Sequence, residues 1–417
     1  MKKLPDGVGE IVERRRFLRQ VAVGACAAHL GDPVVESRRA DSRSAKNDSL
    51  YGKLLCGYQG WFRCAGDGSG DGWWHWSRRP ERLAPDTVAV EMWPDMESYS
   101  PEEQYEAAGF VYPDGRPATL FSSYHPQTVL RHFRWMQQYG IHGAVVQRFL
   151  VELRRRSTDV VLEHVRQAAR QTGRLWAIGY DMTGMEADRI LACLQDDWRK
   201  LVDQWKIIED PLYLQHRGRP VLMVWGFFPD RFPAVVAHQV LDWLQLDRRY
   251  GVCVIGGIPW YWRRVADHLW LTAYQRMDVL SPWNVGNYRI RNDVKVANTD
   301  TWEGDLQTAA RFGHDLMPVL YPGFGWSNLK RRRSDREEIP RRKGAFFQEQ
   351  LDVVARLNIS CAYVAMFDEL DEGTAILPVS NQPPQQARFV TYEDLPSDAY
   401  LRLAGEAAQR LAGAARE

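Results

Sequence analysis

Glu369 and Glu372 stand three residues apart, directly after the apolar run Ala362–Phe367 and directly before Gly373. Cleaving an acetal needs a proton for the departing oxygen and an electron-rich group to support the cationic transition state. A pair of carboxyls supplies both. If the segment coils into a helical turn, the two Cβ atoms lie about 5–6 Å apart; an extended segment separates them by roughly 10 Å. Gly373 lets the backbone bend at once after the pair. Asp368 and Asp371 add two further charges, and crowding four acids raises the pKa of some of them. The same residues also read as a plain acidic loop, or as calcium ligands through Asp368, Asp371 and Glu372.

The acids must be held by a scaffold, and the alternation of the chain names one. Short apolar runs at Lys53–Tyr58, Gly143–Arg148, Leu175–Tyr180, Pro220–Trp225, Val252–Gly256, Asp278–Ser281, Leu316–Tyr321 and Ala362–Phe367 read as strands buried on both faces. Helical-period segments separate them, from Thr128–Tyr139 to the closing Ser397–Leu411. Val129, Phe133 and Met136 form one apolar stripe and Val161, Val165 and Ala168 another. Eight such units predict an α/β chain folded as a (β/α)8 TIM barrel. A doubly wound open sheet is the competitor, but Gly57-Tyr58-Gln59-Gly60-Trp61 does not match its phosphate-binding turn.

In a barrel the carboxyl ends of all the strands share the face on which active sites are built. Those ends are rich in aromatic and polar residues: Tyr58, Trp61, Arg148, Asp181, Trp225, Trp260, Tyr261, Trp283, Tyr321 and Trp326, with Asp371 beside the acid pair. Aromatic planes pack on the C–H faces of sugar rings, and the polar groups bind hydroxyls, so these residues are the expected walls of a carbohydrate site. About 65 residues follow the first strand, including Gly72-Trp73-Trp74-His75-Trp76 and Glu91-Met92-Trp93-Pro94-Asp95-Met96. They are expected to form a wall or lid over the catalytic face, or else a surface hairpin with buried tryptophans. The basic run Lys330, Arg331, Arg332, Arg333, Arg336, Arg341, Arg342 and Lys343 reads as a solvated loop, or as an attractor of anionic glycan.

Composition narrows the class. The chain has 417 residues, 45% of them apolar, enough for a sizeable core. Lys and Arg number 54 against 53 Asp and Glu, which argues against a dedicated nucleic-acid binder. No apolar run is long enough to span a membrane as a helix. Arg14-Arg15-Arg16-Phe17-Leu18-Arg19, followed by the apolar stretch Val21 to Leu30, resembles a twin-arginine export signal. Residues 1–50 are therefore expected to be signal and linker, and residues 51–417 a single domain, exported to the periplasm or beyond; a cytoplasmic chain is the alternative. Cys26 sits in a sequence loosely like a lipoprotein cleavage box. No Cys-x-x-Cys pair occurs, so no zinc site is expected. Cys56, Cys253 and Cys361 read as small buried hydrophobes, and a Cys56–Cys64 bridge is open in an oxidising compartment.

Phe367-Asp368-Glu369-Leu370-Asp371-Glu372-Gly373-Thr374 resembles the Phe-Asn-Glu-Trp-His-Glu-Gly-Thr segment of glycoside hydrolase family 99, the endo-α-mannosidases and endo-α-mannanases. Residues 52–405 resemble, more broadly, the bacterial family 71/99-like proteins that carry the label xylosidase/arabinosidase. Gly57-Tyr58-Gln59-Gly60-Trp61-Phe62, Ile258-Pro259-Trp260-Tyr261-Trp262-Arg263, Ser281-Pro282-Trp283 and Tyr363–Glu369 carry that likeness. The resemblance implies a retaining (β/α)8 hydrolase of α-linked oligo- or polysaccharides, with no cofactor and no metal. It implies Glu369 as a base on the sugar's own 2-hydroxyl, which attacks the anomeric carbon to give a 1,2-anhydro sugar. It implies Glu372 as the acid/base. Leu370, Asp371 and Asp368 stand where the family motif has Trp, His and Asn. That departure motivates a rival of another class, a barrel that binds glycan without cleaving it.

Overall fold

The computed structural model describes residues 47–331 and 338–414. The arginine-rich start, the apolar stretch from Val21 to Leu30, and Cys26 lie outside the described residues, as do Arg332, Arg333 and Arg336. Among the described residues no helix is long and apolar enough to cross a membrane.

Runs of Val, Ile, Leu and Ala without alternating polar residues form parallel strands buried on both faces. They are β1 (Lys53–Tyr58), β2 (Gly143–Phe149), β3 (Leu175–Asp181), β4 (Arg219–Trp225), β5 (Cys253–Pro259), β6 (Val279–Trp283), β7 (Asp315–Leu316 and Val319–Leu320) and β8 (Cys361–Val364). Each pairs in parallel with its neighbour in sequence, and β8 returns to β1 with Lys53 opposite Cys361. The ring closes through β7, which Pro318 interrupts. Before that proline, Asp315 and Met317 donate to the Asp278 and Leu280 carbonyls of the β6 side; after it, Tyr363 and Ala365 donate to the Pro318 and Leu320 carbonyls. The predicted TIM barrel is the observed fold. At β1 the ring is tight: a Cβ on Gly57 would meet the Tyr363 hydroxyl and the Met366 sulfur at about 2 Å, so only glycine fits.

The helices are α1 (Pro126–Tyr139), α2 (Arg156–Thr172), α3 (Ile190–Asp203), α4 (Ala234–Leu246), α5 (His268–Tyr274), α6 (Trp302–Arg311), α7 (Ala345–Arg356) and α8 (Ala399–Ala414). The apolar stripes read from the sequence are the buried ones: Val129, Phe133 and Met136 on α1, and Val161, Val165 and Ala168 on α2. Each valine, phenylalanine or methionine among them removed from water contributes roughly 1.5–3 kcal/mol.

The long segment after β1 contains a hairpin, Tyr105–Val111 against Pro117–Leu120, and packs a second apolar layer onto the barrel. Trp76 lies between Phe62 (4.2 Å) and Phe121 (5.1 Å), and Trp93 lies against Phe110 and Phe389. These tryptophans are core, not a glycan platform. Cys56 and Cys64 are separate buried thiols, which rules the bridge between them out of this structure; Cys64 donates instead to the Phe121 carbonyl.

Candidate active site

β8 runs straight into the acidic segment, and hydrogen bonds decide its shape. The Gly373 N–H donates to the Leu370 carbonyl (3.3 Å) and the Thr374 N–H to the Glu369 carbonyl (3.2 Å). Gly373 sits at φ +63°. Two such bonds around a left-handed glycine are the mark of a single helical turn closed at its carboxyl end. Of the two geometries open to the sequence, the coiled one is therefore adopted. Residues three apart on a helical turn have Cβ atoms about 5–6 Å apart, which is the spacing of Glu369 and Glu372 along this one. Both side chains are almost enclosed, at 2% and 3% exposure. Thr374 Oγ1 donates to Glu369 Oε2 at 3.4 Å.

Five other stretches of the chain pin the turn. The amides of Glu91 and Met92 donate to the Leu370 carbonyl, and the amide of Gly325 to that of Glu372. Both oxygens of Asp368 accept backbone amides from the end of β1, Gln59 at 2.7 Å and Gly60 at 2.8 Å. Asp371 Oδ2 meets His75 Nδ1 at 3.1 Å, and the His75 ring lies flat on Trp61, 3.6 Å between centroids. Arg341 is fully buried; one of its terminal nitrogens donates to the carbonyls of Gly373 (2.8 Å) and Ala375 (2.6 Å). Its guanidinium is held between Tyr392 and Tyr400. Arg341 therefore does not belong to a solvated basic loop. It satisfies carbonyls that the end of a helical turn leaves without partners.

Burial pushes the Asp368 carboxyl up to about 7, against the Gln59 and Gly60 amides, which favour its charged form. Burial also pushes Glu91 up to about 7, opposed by the amides of Asn328 and Ser327. Because the Asp368 oxygens are turned to amides and Asp371 to an imidazole, these two carboxylates do not converge on a shared cation. Burial first, then the carboxylates of Glu369, Asp368 and Asp181, holds the Tyr363 hydroxyl well above its ordinary range. That hydroxyl accepts from Gln147 Nε2 at 3.0 Å.

Strand register decides which predicted wall residues meet. Phe149, Asp181, Trp225 and Gly257 lie side by side across the sheet, and Trp283 continues their face on β6. Trp225 meets Trp283 edge-on at 5.2 Å, and Trp283 approaches Tyr363 at 6.4 Å. Arg231 lies over Trp225 and donates to Thr183 Oγ1. Trp260 and Tyr261 are half-buried, with their rings edge-on and Arg264 over Trp260. Trp326 packs on Phe324 beneath Lys330.

Three predicted wall residues take other places. Tyr58 is in register with Val146, one step out of phase with the inward face. Its hydroxyl bonds to His132 Nδ1 on α1 at 3.0 Å. Arg148 and Tyr180 are opposite each other on that same outward face, and both reach Asp197 of α3. Arg148 also bonds to Asp159 of α2. Burial works against the Arg148 charge, but the Asp197 carboxylate outweighs it and holds the guanidinium protonated. Tyr321 is buried against Phe346, its hydroxyl donating to the Asn287 carbonyl. The cause in the first two is the two-residue alternation of a strand, which sends adjacent side chains to opposite faces. Gln147 is absent from the walls read from the sequence, and His75, Glu91, Tyr363 and Arg341 enter there only within longer stretches, without a place at the site. Gln147 carried a usable signal, a lone polar residue in an otherwise apolar strand.

No family model and no curated protein matches the chain. Solved structures do. A structure of the family 99 endo-alpha-mannosidase from Bacteroides thetaiotaomicron superposes with a TM-score of 0.63 at 15% identity, over 88% of this chain and 100% of that one. A second, in complex with bis-tris-propane, gives 0.65 at 14% identity over the same shares. The chain has a glycoside hydrolase-like fold. At that identity the likeness is one of architecture, and the chemistry has to be argued from the residues.

Proposed function

We propose that the chain is a retaining glycoside hydrolase acting on an α-linked oligo- or polysaccharide, mannan-type or related. Glu369 takes the proton from the sugar's 2-hydroxyl as that oxygen attacks the anomeric carbon. Glu372 gives its proton to the departing oxygen, and a 1,2-anhydro sugar forms. Water then enters with Glu372 taking its proton; the hydroxide bonds to the anomeric carbon, and Glu369 returns the first proton to the 2-oxygen. Two inversions at one carbon leave its configuration unchanged. The observation that carries this reading is the closed turn, which holds two almost enclosed glutamates three residues apart directly after β8. The family 99 architecture and the Trp225–Trp283 wall support it. The resemblance of Arg14–Arg19 to an export signal makes export part of the proposal.

The test is a screen of plant, algal and fungal polysaccharides with the purified chain, the anomeric outcome followed by proton NMR. Release of products with retained configuration, lost in the Glu369→Gln, Glu372→Gln double variant, is expected. Equal turnover by that variant would sink the proposal. A second reading, glycan binding without turnover, is favoured by the near-complete enclosure of both glutamates and by the tie between Asp371 and His75. Binding without new reducing ends on the same panel would select it.

A further inference from the structure

Tyr363 and Gln147 meet inside the ring of strands, and the proposed reaction uses neither. Tyr363 lies on β8 opposite Leu55, so its side chain takes the same inward face as Gly57. Gln147 lies on β2 opposite Gly179, two residues before Phe149 and on that face as well. Two glycines make room for the pair. A Cβ on Gly57 would strike the Tyr363 hydroxyl, and one on Gly179 would come within 2.9 Å of Gln147 Nε2. Gln147 Nε2 donates to the Tyr363 hydroxyl at 3.0 Å and so occupies one acceptor position of the phenol. The phenol's own proton then has one acceptor among the described residues, the Met366 sulfur at 3.4 Å. A thioether accepts weakly, so a fully buried donor is left poorly satisfied.

Contacts run on from there to Glu369. The Met366 amide donates to the Thr374 carbonyl at 3.3 Å, and Thr374 Oγ1 donates to Glu369 Oε2. The titratable groups that act on the phenol are Glu369, Cys56, Asp368 and Asp181. Burial keeps the Cys56 thiol neutral, the Asp368 oxygens are turned to the Gln59 and Gly60 amides, and Asp181 accepts the Thr183 amide. Burial first, then the Glu369 carboxylate, keeps the phenol protonated, so it remains a donor at neutral pH. We propose that Tyr363 is a positioning residue for the base: oriented by Gln147, its hydroxyl turns its proton towards Glu369 and keeps that carboxylate ionised and aimed at the sugar's 2-hydroxyl. This inference rests on the hydrolase reading above and extends it to two residues of the strands beneath the turn.

Tyr363→Phe removes the hydroxyl and keeps the ring; Gln147→Met removes the orienting N–H at similar volume and remains informative if the first variant does not fold. Each is assayed on a natural oligosaccharide and on a nitrophenyl glycoside as a function of pH. In each, kcat is expected to fall about tenfold at nearly constant KM, by the same factor on both substrates. The acid limb of kcat/KM, which reports ionisation of the base, should move to higher pH, because loss of the O–H dipole disfavours the carboxylate. The double variant should lose little more than either single one, because the two groups act as a unit. A purely structural role would lower the melting temperature and leave the limb in place. With an active wild type, an unmoved limb, a loss confined to the natural linkage, a change in KM alone or additive losses would each overturn the inference while leaving the hydrolase reading intact. A wild type inactive on both substrates removes that reading and this inference with it.

Discussion

The Arg341 guanidinium reaches the Gly373 carbonyl across 2.8 Å, joining a basic residue of the β7–α7 segment to the glycine that closes the acidic turn. Because the same nitrogen also holds the Ala375 carbonyl, Arg341→Met strands two buried acceptors. The expected cost is about 3 kcal/mol in urea unfolding, with Arg341→Lys recovering part of it. Any glycosidase activity should fall through kcat more than KM, because the turn and not the wall is disturbed.

Glu372→Gln is expected to abolish cleavage of natural linkages while sparing more turnover of aryl glycosides, whose leaving group needs no protonation. Glu369→Gln should impair both kinds of substrate alike. Steady-state rates on a natural oligosaccharide and on a fluorophenyl or nitrophenyl glycoside distinguish the two roles.

Asp368 sits at about 7 in the folded chain, against roughly 3.9 when unfolded. The folded state therefore keeps a proton that the unfolded chain releases between those values. Its contribution to stability is complete below about pH 4 and is lost as pH rises towards 7, with a slope of at most about 1.4 kcal/mol per pH unit. Glu91, also at about 7, acts in the same direction. Melting temperature should fall between pH 5 and pH 8, and Asp368→Asn should flatten that fall without removing it.

Residues on the outward face should affect stability and not sugar binding. Tyr58→Phe removes one hydroxyl bond to His132, a loss of about 1 kcal/mol, and should leave glycan affinity as it was. Arg148→Met leaves Asp197 buried without its main partner and should cost about 3–5 kcal/mol in denaturant titration. Trp283→Ala, on the inward face, should instead weaken glycan binding, which calorimetry would register.

The barrel was legible because strands buried on both faces read as unbroken apolar runs, and because the helical stripes on α1 and α2 recur at the helical period. The Glu369–Glu372 pair was legible as local spacing beside a glycine. The direction of Tyr58 and Arg148 was not. At a strand end a one-residue change of phase exchanges the bore for the helical layer, and only pairing with the next strand fixes it.

Local sequence thus determined what can be settled within a few residues: which runs are strands, which stripes are buried, and that two acids sit one turn apart. Tertiary structure alone decided that His75 meets Asp371, 296 positions away, and that Asp368 is seized by the end of β1. It also took Arg341 out of solvent and under the acidic turn. Hydrogen bonds of that kind depend on where distant loops converge once the ring of strands has closed, and no spacing along the chain encodes it.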